Sequence, residues 1–211
     1  MILETRAVAP FYKNGFVAGC DRTRDAVLID PGDEVDDLVA AVHEHRLRVR
    51  HILLTHAHID HVTGVGRARA AFGAPVHLHR DDLPFYERTV QQGQLFGLVV
   101  EPPPPVDVFY DGTSIRFGDH EVVVHHTPGH CPGGVCLQIG THLFVGDTLF
   151  AGSIGRTDLP GGDYAVLMRS ITEVLFPLGD DAAVHPGHGP DTTIGRERTT
   201  NPFVREYLRS G

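Results

Sequence analysis

Short apolar runs of strand-like composition open the chain. Residues 3–8, 16–20 and 26–30 predict three strands, the last closed by the turn Pro31-Gly32. The period then changes. Val35, Leu38, Val39, Val42 and Leu47 lie close to the i, i+3, i+4, i+7 spacing of one helical face. A strand over 49–55 with the apolar centre Ile52-Leu53-Leu54 follows, then a helix over 61–72 and a strand over 76–79. Pro102 to Pro105 predict a stiff polyproline-like connector joining two halves of similar style. The second half predicts strands over 106–110, 113–117, 122–126, 134–139 and 143–146. A helix over 164–175, a strand over 182–185 and a helix over 203–208 complete it. Strands paired mostly as hairpins, with helices to cover them, imply an α/β protein of two packed sheets flanked by helices.

Composition narrows the function classes. The 211 residues are 41% hydrophobic and 21% charged, enough for a core without disulfides. A net charge of −9 argues against an affinity built on nucleic-acid phosphates or on an anionic membrane surface. Cys20, Cys131 and Cys136 are too few for a disulfide framework, so a reducing compartment is expected. The first ten residues lack the apolar stretch of a secretory signal, and no run approaches the roughly 20 residues that span a bilayer. A cytoplasmic protein is the expectation, with no nucleic-acid or membrane partner. Lys13 is the only lysine, a bias read as genome composition rather than function.

Histidine is the informative excess, and its placement carries the chemistry. In Thr55-His56-Ala57-His58-Ile59-Asp60-His61, an apolar strand ends and a helix begins. His56 and His58, two apart in extended chain, project to one side and can grip one ion. Asp60 and His61, at the turn into the helix, can face a second. An isolated His-X-His is usually a solvated loop, but this joined pattern after a buried strand is much rarer. Three later segments share its punctuation: Thr127-Pro128-Gly129-His130, Gly146-Asp147-Thr148 and Pro186-Gly187-His188-Gly189-Pro190. In each a strand ends, a glycine permits a sharp turn, and a ligand-type side chain is presented. Together they are expected to converge at one end of the sheets.

These segments resemble the metallo-β-lactamase superfamily essentially from end to end. Within it the chain resembles the glyoxalase II (hydroxyacylglutathione hydrolase) branch, particularly its short, single-domain bacterial members. Gly146-Asp147-Thr148-Leu149-Phe150, Gly155-Arg156-Thr157-Asp158, Pro186-Gly187-His188-Gly189-Pro190 and Asn201-Pro202-Phe203 carry that likeness. The resemblance implies a four-layer αββα sandwich over residues 1–211. It implies two divalent metal ions, zinc first and iron or manganese next, a borderline nitrogen/oxygen ligand set suiting all three. It assigns His56, His58 and His130 to one ion, Asp60, His61 and His188 to the other, and Asp147 as a bridge. Asp147 in that place separates the chain from zinc β-lactamases, and His58 separates it from the flavodiiron reductases.

The implied activity is hydrolysis of a small-molecule thioester such as S-lactoylglutathione. Asp60 and Asp147 are the implied catalytic carboxylates, Asp60 relaying a proton to the leaving group. A thiolate leaving group, with a pKa near ~8.5, needs little acid assistance. Full-length glyoxalase II adds a C-terminal helical domain that grips glutathione, and too few residues follow His188 to build it. Arg156 is the candidate anion contact, weighed against a salt bridge to Asp158, and Tyr12, Asn14 and Phe96 are candidates to border the pocket. Two rivals share the motif. One is a persulfide dioxygenase with a single iron on His56, His130 and Asp147; the other is a different di-metal hydrolase, a lactonase or phosphodiesterase. Cys131, the pair His125-His126, His77, His79 and His185 are read as structural or exposed.

Overall fold

In the computed structural model, which describes residues 1–210, the chain divides into two compact units, Met1–Glu121 and the remainder from Val122. The first unit carries a sheet of β1 (Ile2–Arg6), β2 (Gly15–Gly19), β3 (Asp25–Ile29), β4 (Arg48–Leu53), β5 (Val76–Leu78) and β6 (Val108–Phe109), hydrogen-bonded in that order. The first three strands are antiparallel neighbours, whereas β3, β4, β5 and β6 are mutually parallel. Parallel neighbours need crossover connections. The chain supplies α1 (Val35–Glu44) between β3 and β4, and α2 (Ile59–Val62) with α3 (Val65–Phe72) between β4 and β5. Between β5 and β6 come α4 (Leu83–Tyr86) and α5 (Thr89–Leu95). The apolar stripe of α1, Val35, Leu38 and Val42, packs with Val17, Leu28 and Ile52 of the strands in one buried cluster. Because β3 and β4 are parallel, Asp30 and Thr55-His56 leave the sheet at the same edge.

A second sheet has the order β14-β13-β10-β9-β8-β7. Its strands are β7 (Ile115–Phe117), β8 (His120–His126), β9 (Val135–Ile139), β10 (His142–Gly146), β13 (Ala183–Pro186) and β14 (Thr192–Thr193). A separate hairpin, β11 (Leu149–Phe150) with β12 (Ser153–Ile154), follows β10. β8 and β10 are each antiparallel to β9, and β13 is parallel to β10. The three strands β8, β10 and β13 therefore run the same way and finish at one edge. Val145, Leu149 and Val184 pack with Leu167 and Met168 of α6 (Tyr164–Arg169) and with Ile194 of α7 (Ile194–Thr200). α8 (Pro202–Ser210) adds Val204 to that cluster.

The element pattern follows the expectation with several corrections. The helix expected over 61–72 is two helices, broken at Gly64. A Cβ there would lie 2.2 Å from the Gly32 carbonyl oxygen, and Gly64 N donates to Pro31 O at 3.1 Å, so the break docks onto the Pro31-Gly32 turn. The strands of the first sheet are not mostly hairpins, since three of its five pairings are parallel. Pro102–Pro105 does not join the two halves: β6, after it, still pairs with β5, and the division falls inside β8. The Asp107 carboxylate holds that return by accepting from Val76 N at 2.8 Å and from Arg69. Helices α4, α5 and α7 and the β11–β12 hairpin carry no periodic apolar pattern long enough to announce them. Among the described residues no helix is long and apolar enough to cross a membrane.

Two histidines on adjacent strands make the first unit acid-sensitive. His77 is 4% exposed, and its Nε2 lies 3.0 Å from His51 Nδ1. Burial lowers the His77 pKa from 6.5 to about 4. Between those values the unfolded chain binds a proton that the folded chain refuses, so stability is complete above pH 6.5 and is lost as pH falls toward 4. Each tenfold weakening of proton binding is worth about 1.4 kcal/mol, so the loss amounts to at most ~3.5 kcal/mol. Urea unfolding at pH 7 and pH 4.5 should show this slope, and His77→Leu should flatten it. An equal slope in the variant would reject the assignment.

Candidate metal centre

In the first unit the ligand-type residues sit on a loop fixed from three sides. β4 ends at Leu53, where the buried Tyr110 hydroxyl accepts from Leu54 N at 3.1 Å and donates to Leu54 O at 3.0 Å. Burial pushes that phenol well above its ordinary pKa, so it stays a neutral donor. Past Leu54 the chain turns around Asp30. Its carboxylate accepts from Thr55 N at 2.7 Å, from Thr55 Oγ1 at 2.5 Å and from His61 Nδ1 at 2.9 Å. Further along, Ala57 N donates to Asp82 Oδ2 at 2.9 Å. Gln92 of α5 accepts from Ile59 N and donates to Ala57 O, both at 3.1 Å.

This framework brings the imidazoles together. The His56 ring centroid lies 4.8 Å from that of His58 and 4.0 Å from that of His61. His56 and His61 are buried, and His58 precedes α2 as its N-cap. With His61 Nδ1 committed to Asp30, its Nε2 faces Asp60 Oδ2 at 3.7 Å.

Beneath Asp30 lies the chain's lone lysine. Lys13 is 1% exposed; its Nζ donates to the Asp30 carbonyl oxygen and pairs with Glu34 Oε1 at 2.6 Å. The same Glu34 oxygen accepts from Gly32 N at 2.8 Å. Lys13 is thus a structural ion in the floor of the loop, which corrects its reading as mere composition bias. A Cβ on Gly32 would lie 2.0 Å from the Asp60 carbonyl oxygen and 2.9 Å from Lys13 Cε, so only glycine admits this approach.

In the second unit the parallel strand ends present the other three candidates. Thr127 N donates to Gly134 O at 2.8 Å, closing the loop after β8 that carries His130. Gly129 has φ +126°, and a Cβ on it would lie 2.2 Å from Leu167 N. After β10, Gly146 (φ +51°) turns the chain to present Asp147. After β13, Gly187 N donates to Gly146 O at 2.8 Å, which holds the His188 loop beside the Asp147 loop. His130 Nδ1 lies 2.8 Å from the Arg156 carbonyl oxygen, so that nitrogen donates and Nε2 is left to face Asp147. His130 Nε2 and His188 Nε2 lie 3.6 and 3.7 Å from the same oxygen, Asp147 Oδ2. Buried Glu197 steadies the segment that follows, accepting from Gly152 N at 2.8 Å, Thr192 Oγ1 at 2.6 Å and Asn201 Nδ2 at 2.9 Å.

The donor chemistry fits a metal. Separations of 3.6–3.7 Å are too long for hydrogen bonds. They are close to the spacing of roughly 3.4 Å expected for two ligand atoms each about 2.1 Å from one tetrahedral ion. His61 and His130 each commit Nδ1 to an oxygen acceptor, the arrangement that fixes tautomer and ring direction in metal-ligating histidines. Asp30 went unnoticed in the sequence, although it shares the signature of the other candidates: a strand-end acid followed by Pro31-Gly32. Replacing it with Asn removes the charged acceptor behind His61 and should weaken metal retention by about 10–100-fold. Competition with a chromophoric chelator measures this, and unchanged affinity would sink the role given to Asp30.

The remaining candidates are not among the ligand-type residues. Arg156 grips Asp158 through two hydrogen bonds of 2.7 Å, and that guanidinium holds the Asp158 carboxyl down to about 2. Tyr12 and Phe96 are 65% and 61% exposed, and Asn14 is buried. Cys131 is a buried thiol, as expected.

Comparison with known proteins agrees with this chemistry. Residues 10–191 match the family model described as the metallo-beta-lactamase superfamily. Hydroxyacylglutathione hydrolase GloC of Haemophilus influenzae is 36% identical, over 97% of this chain and 98% of its own. The crystal structure of TTHA1623 in a di-iron-bound form is 42% identical with a TM-score of 0.85, covering 95% of this chain and 99% of that one. ETHE1 from Myxococcus xanthus is 31% identical with a TM-score of 0.81, covering 98% and 85%. The expected fold is borne out, and a divalent metal belongs to it, although the di-iron relative shows that the fold alone does not select zinc. Strand-end histidines and aspartates, their oxygen-held tautomers and a match across most of the sequence lead to one conclusion: this chain belongs to the metallo-beta-lactamase superfamily and is a metal-dependent hydrolase with that superfamily's fold.

Proposed function

We propose that the protein hydrolyses a small-molecule thioester of the S-lactoylglutathione kind. His56, His58 and His130 hold one divalent ion, Asp60, His61 and His188 hold a second, and Asp147 serves both. What carries the reading is the shared Asp147 Oδ2, faced by Nε2 of both His130 and His188, for a carboxylate so placed suits a bridging ligand. The similarity to GloC supports the thioester class. When bound, divalent metal supplies Lewis acidity, lowering the pKa of a coordinated water toward about 7 and polarising the scissile carbonyl. Asp30 and the Arg156 carbonyl keep the ligating nitrogens of His61 and His130 turned outward. Asp60, 3.7 Å from His61 Nε2, carries a proton to the departing thiolate in this reading. Tyr12 and Phe96 border the substrate, and Arg156 can meet an anionic arm by releasing Asp158.

Metal content decides between this reading and its rival. Protein purified without added metal should hold two ions per chain and hydrolyse S-D-lactoylglutathione. One iron per chain with oxygen uptake on glutathione persulfide would instead make it a dioxygenase. Asp60→Asn should lower turnover by about 10²-fold or more, the usual contribution of a positioned proton donor, in protein that keeps both ions. Full turnover with intact metal would dismiss the relay.

A further inference from the structure

A cavity of about 620 Å³ opens in the first unit beside the ligand loop. Asp33, Thr63 and Arg67 line one side of it and residues 98–103 the other. Both sides rest against α2. Thr63 stands three residues past Asp60, on the same helical face, and its hydroxyl donates to Asp33 Oδ1 at 2.8 Å. Asp33 in turn follows Gly32, the glycine pressed against the Asp60 carbonyl. Across the cavity, Leu98 N donates to Gly93 O at 2.9 Å. A Cβ on Gly93 would lie 2.6 Å from Val100 Cγ2 and 3.4 Å from Ile59 Cδ1, so this side closes on the first residue of α2. The cavity therefore begins at residues 59–63.

Its walls are preformed. α5 ends in a closed turn in which Gly97 (φ +70°) donates to Gln94 O at 3.2 Å. The Tyr86 hydroxyl donates to Pro104 O at 2.9 Å and Arg69 Nη1 to Pro105 O at 3.1 Å, which ties the proline run to α4 and α3. The volume falls within the roughly 300–1,000 Å³ of ligand pockets. The charged side chains lining it are Asp33, Glu101 and Arg67, two acids and one cation, all exposed. Arg67 already grips a carboxylate, that of Asp36, and both partners of this pair are exposed, so exchanging one carboxylate for another costs little.

We propose that this cavity holds the glutamyl end of a glutathione thioester, with Arg67 taking its α-carboxylate and Asp33 and Glu101 its α-ammonium. This rests on the thioester reading given above. Charge selects the occupant. A zwitterionic amino-acid head satisfies two acids and a cation set around one space, whereas a phosphate-bearing thiol would meet both acids uncompensated. The guanidinium suits a carboxylate in particular, because its planar fork can donate two parallel hydrogen bonds. Reach agrees with charge. Arg67 stands seven residues beyond Asp60, roughly 10 Å at the helical rise. From its sulfur to its glutamyl head an extended thiol arm is two to three residues long, roughly 7–10 Å.

The test uses metal-loaded full-length enzyme and the S-D-lactoyl thioesters of three thiols. Glutathione is the first. N-glutaryl-cysteinylglycine lacks only the ammonium, and N-acetyl-cysteinylglycine lacks both ammonium and glutamyl carboxylate. The wild type should favour glutathione over the N-acetyl thiol by about tenfold in kcat/KM, through KM, the scale of a hydrogen bond to a charged group. Arg67→Gln should cut that lead by about fivefold or more. Glu101→Gln should cut the lead of glutathione over the N-glutaryl thiol by about threefold. Calorimetry should show S-methylglutathione binding more weakly to Arg67→Gln, and about twofold more tightly to Asp36→Asn, which frees the guanidinium. Equal kcat/KM for glutathione and the N-acetyl thiol, or an Arg67→Gln variant that slows all three thioesters equally, overturns the cavity assignment and leaves the hydrolase reading intact. Failure of the wild type to cleave any of the three overturns the hydrolase reading and this inference with it.

Discussion

Asp147→Asn should lower kcat/KM for the thioester by at least a hundredfold and leave less than the full complement of metal. Partners that merely orient a metal ligand typically contribute about 10–100-fold, so a shared ligand should contribute no less. The substitution keeps shape but removes the negative charge and one acceptor oxygen: a neutral amide offers one such oxygen where the carboxylate offers two. His130 Nε2 and His188 Nε2 both face Asp147 Oδ2, so one change disturbs two contacts at once. Metal per chain by elemental analysis, together with kcat/KM on the reconstituted protein and a circular dichroism check of folding, measures the effect. Near-wild-type turnover with full metal would remove Asp147 from the centre.

Lys13→Met should cost the largest share of stability, about 3–5 kcal/mol, because it leaves Glu34 charged and buried without its partner. Both side chains of the pair are 1% exposed, so water cannot take over the lost contact. Methionine keeps the length of the stem, which separates the loss of charge from the loss of packing. The double variant Lys13→Met/Glu34→Gln should recover much of the loss, since removing both charges lifts the desolvation penalty. Urea midpoints for the wild type, the single and the double variant measure the cycle. A single variant within about 0.5 kcal/mol of wild type, the usual effect of a surface change, would show the pair to be dispensable.

Much of the fold was legible because the elements that form the two cores obey simple periods. The stripe Val35, Leu38, Val42 appears as a helical face in the sequence and packs as one in α1. The apolar run Ile52-Leu53-Leu54 appears as a buried strand and is fully buried. Legibility failed where structure depends on backbone approach rather than period. Gly64 reads as an ordinary glycine in a helical stretch, yet it must lie against the Gly32 carbonyl, and the helix breaks there. Helices α4 and α5 are short, with no stripe to declare them. What fixes α5 beside the ligand loop is Gln92, a residue without any local signature. The connector at Pro102–Pro105 misled for a similar reason. Stiffness is a local property, whereas the pairing of β6 with β5 is a long-range one.

The ligand-type residues of the candidate site were identifiable from their spacing, because a metal demands imidazoles and carboxylates and a strand end with a glycine is what presents them. That much belongs to the one-dimensional order of the chain. The second layer does not. Asp30 stands thirty-one positions before His61 and meets it at 2.9 Å only because β3 and β4 run parallel and end together. Arg156 was singled out for its side chain, yet its backbone carbonyl is the group that meets His130 Nδ1. Lys13 looked incidental until burial made it the counter-ion of Glu34. Sequence determined which chemistry is present, since side-chain type is written residue by residue. Tertiary structure decided which nitrogen of His61 and of His130 is held back and which charges are buried, because those properties arise between residues distant along the chain.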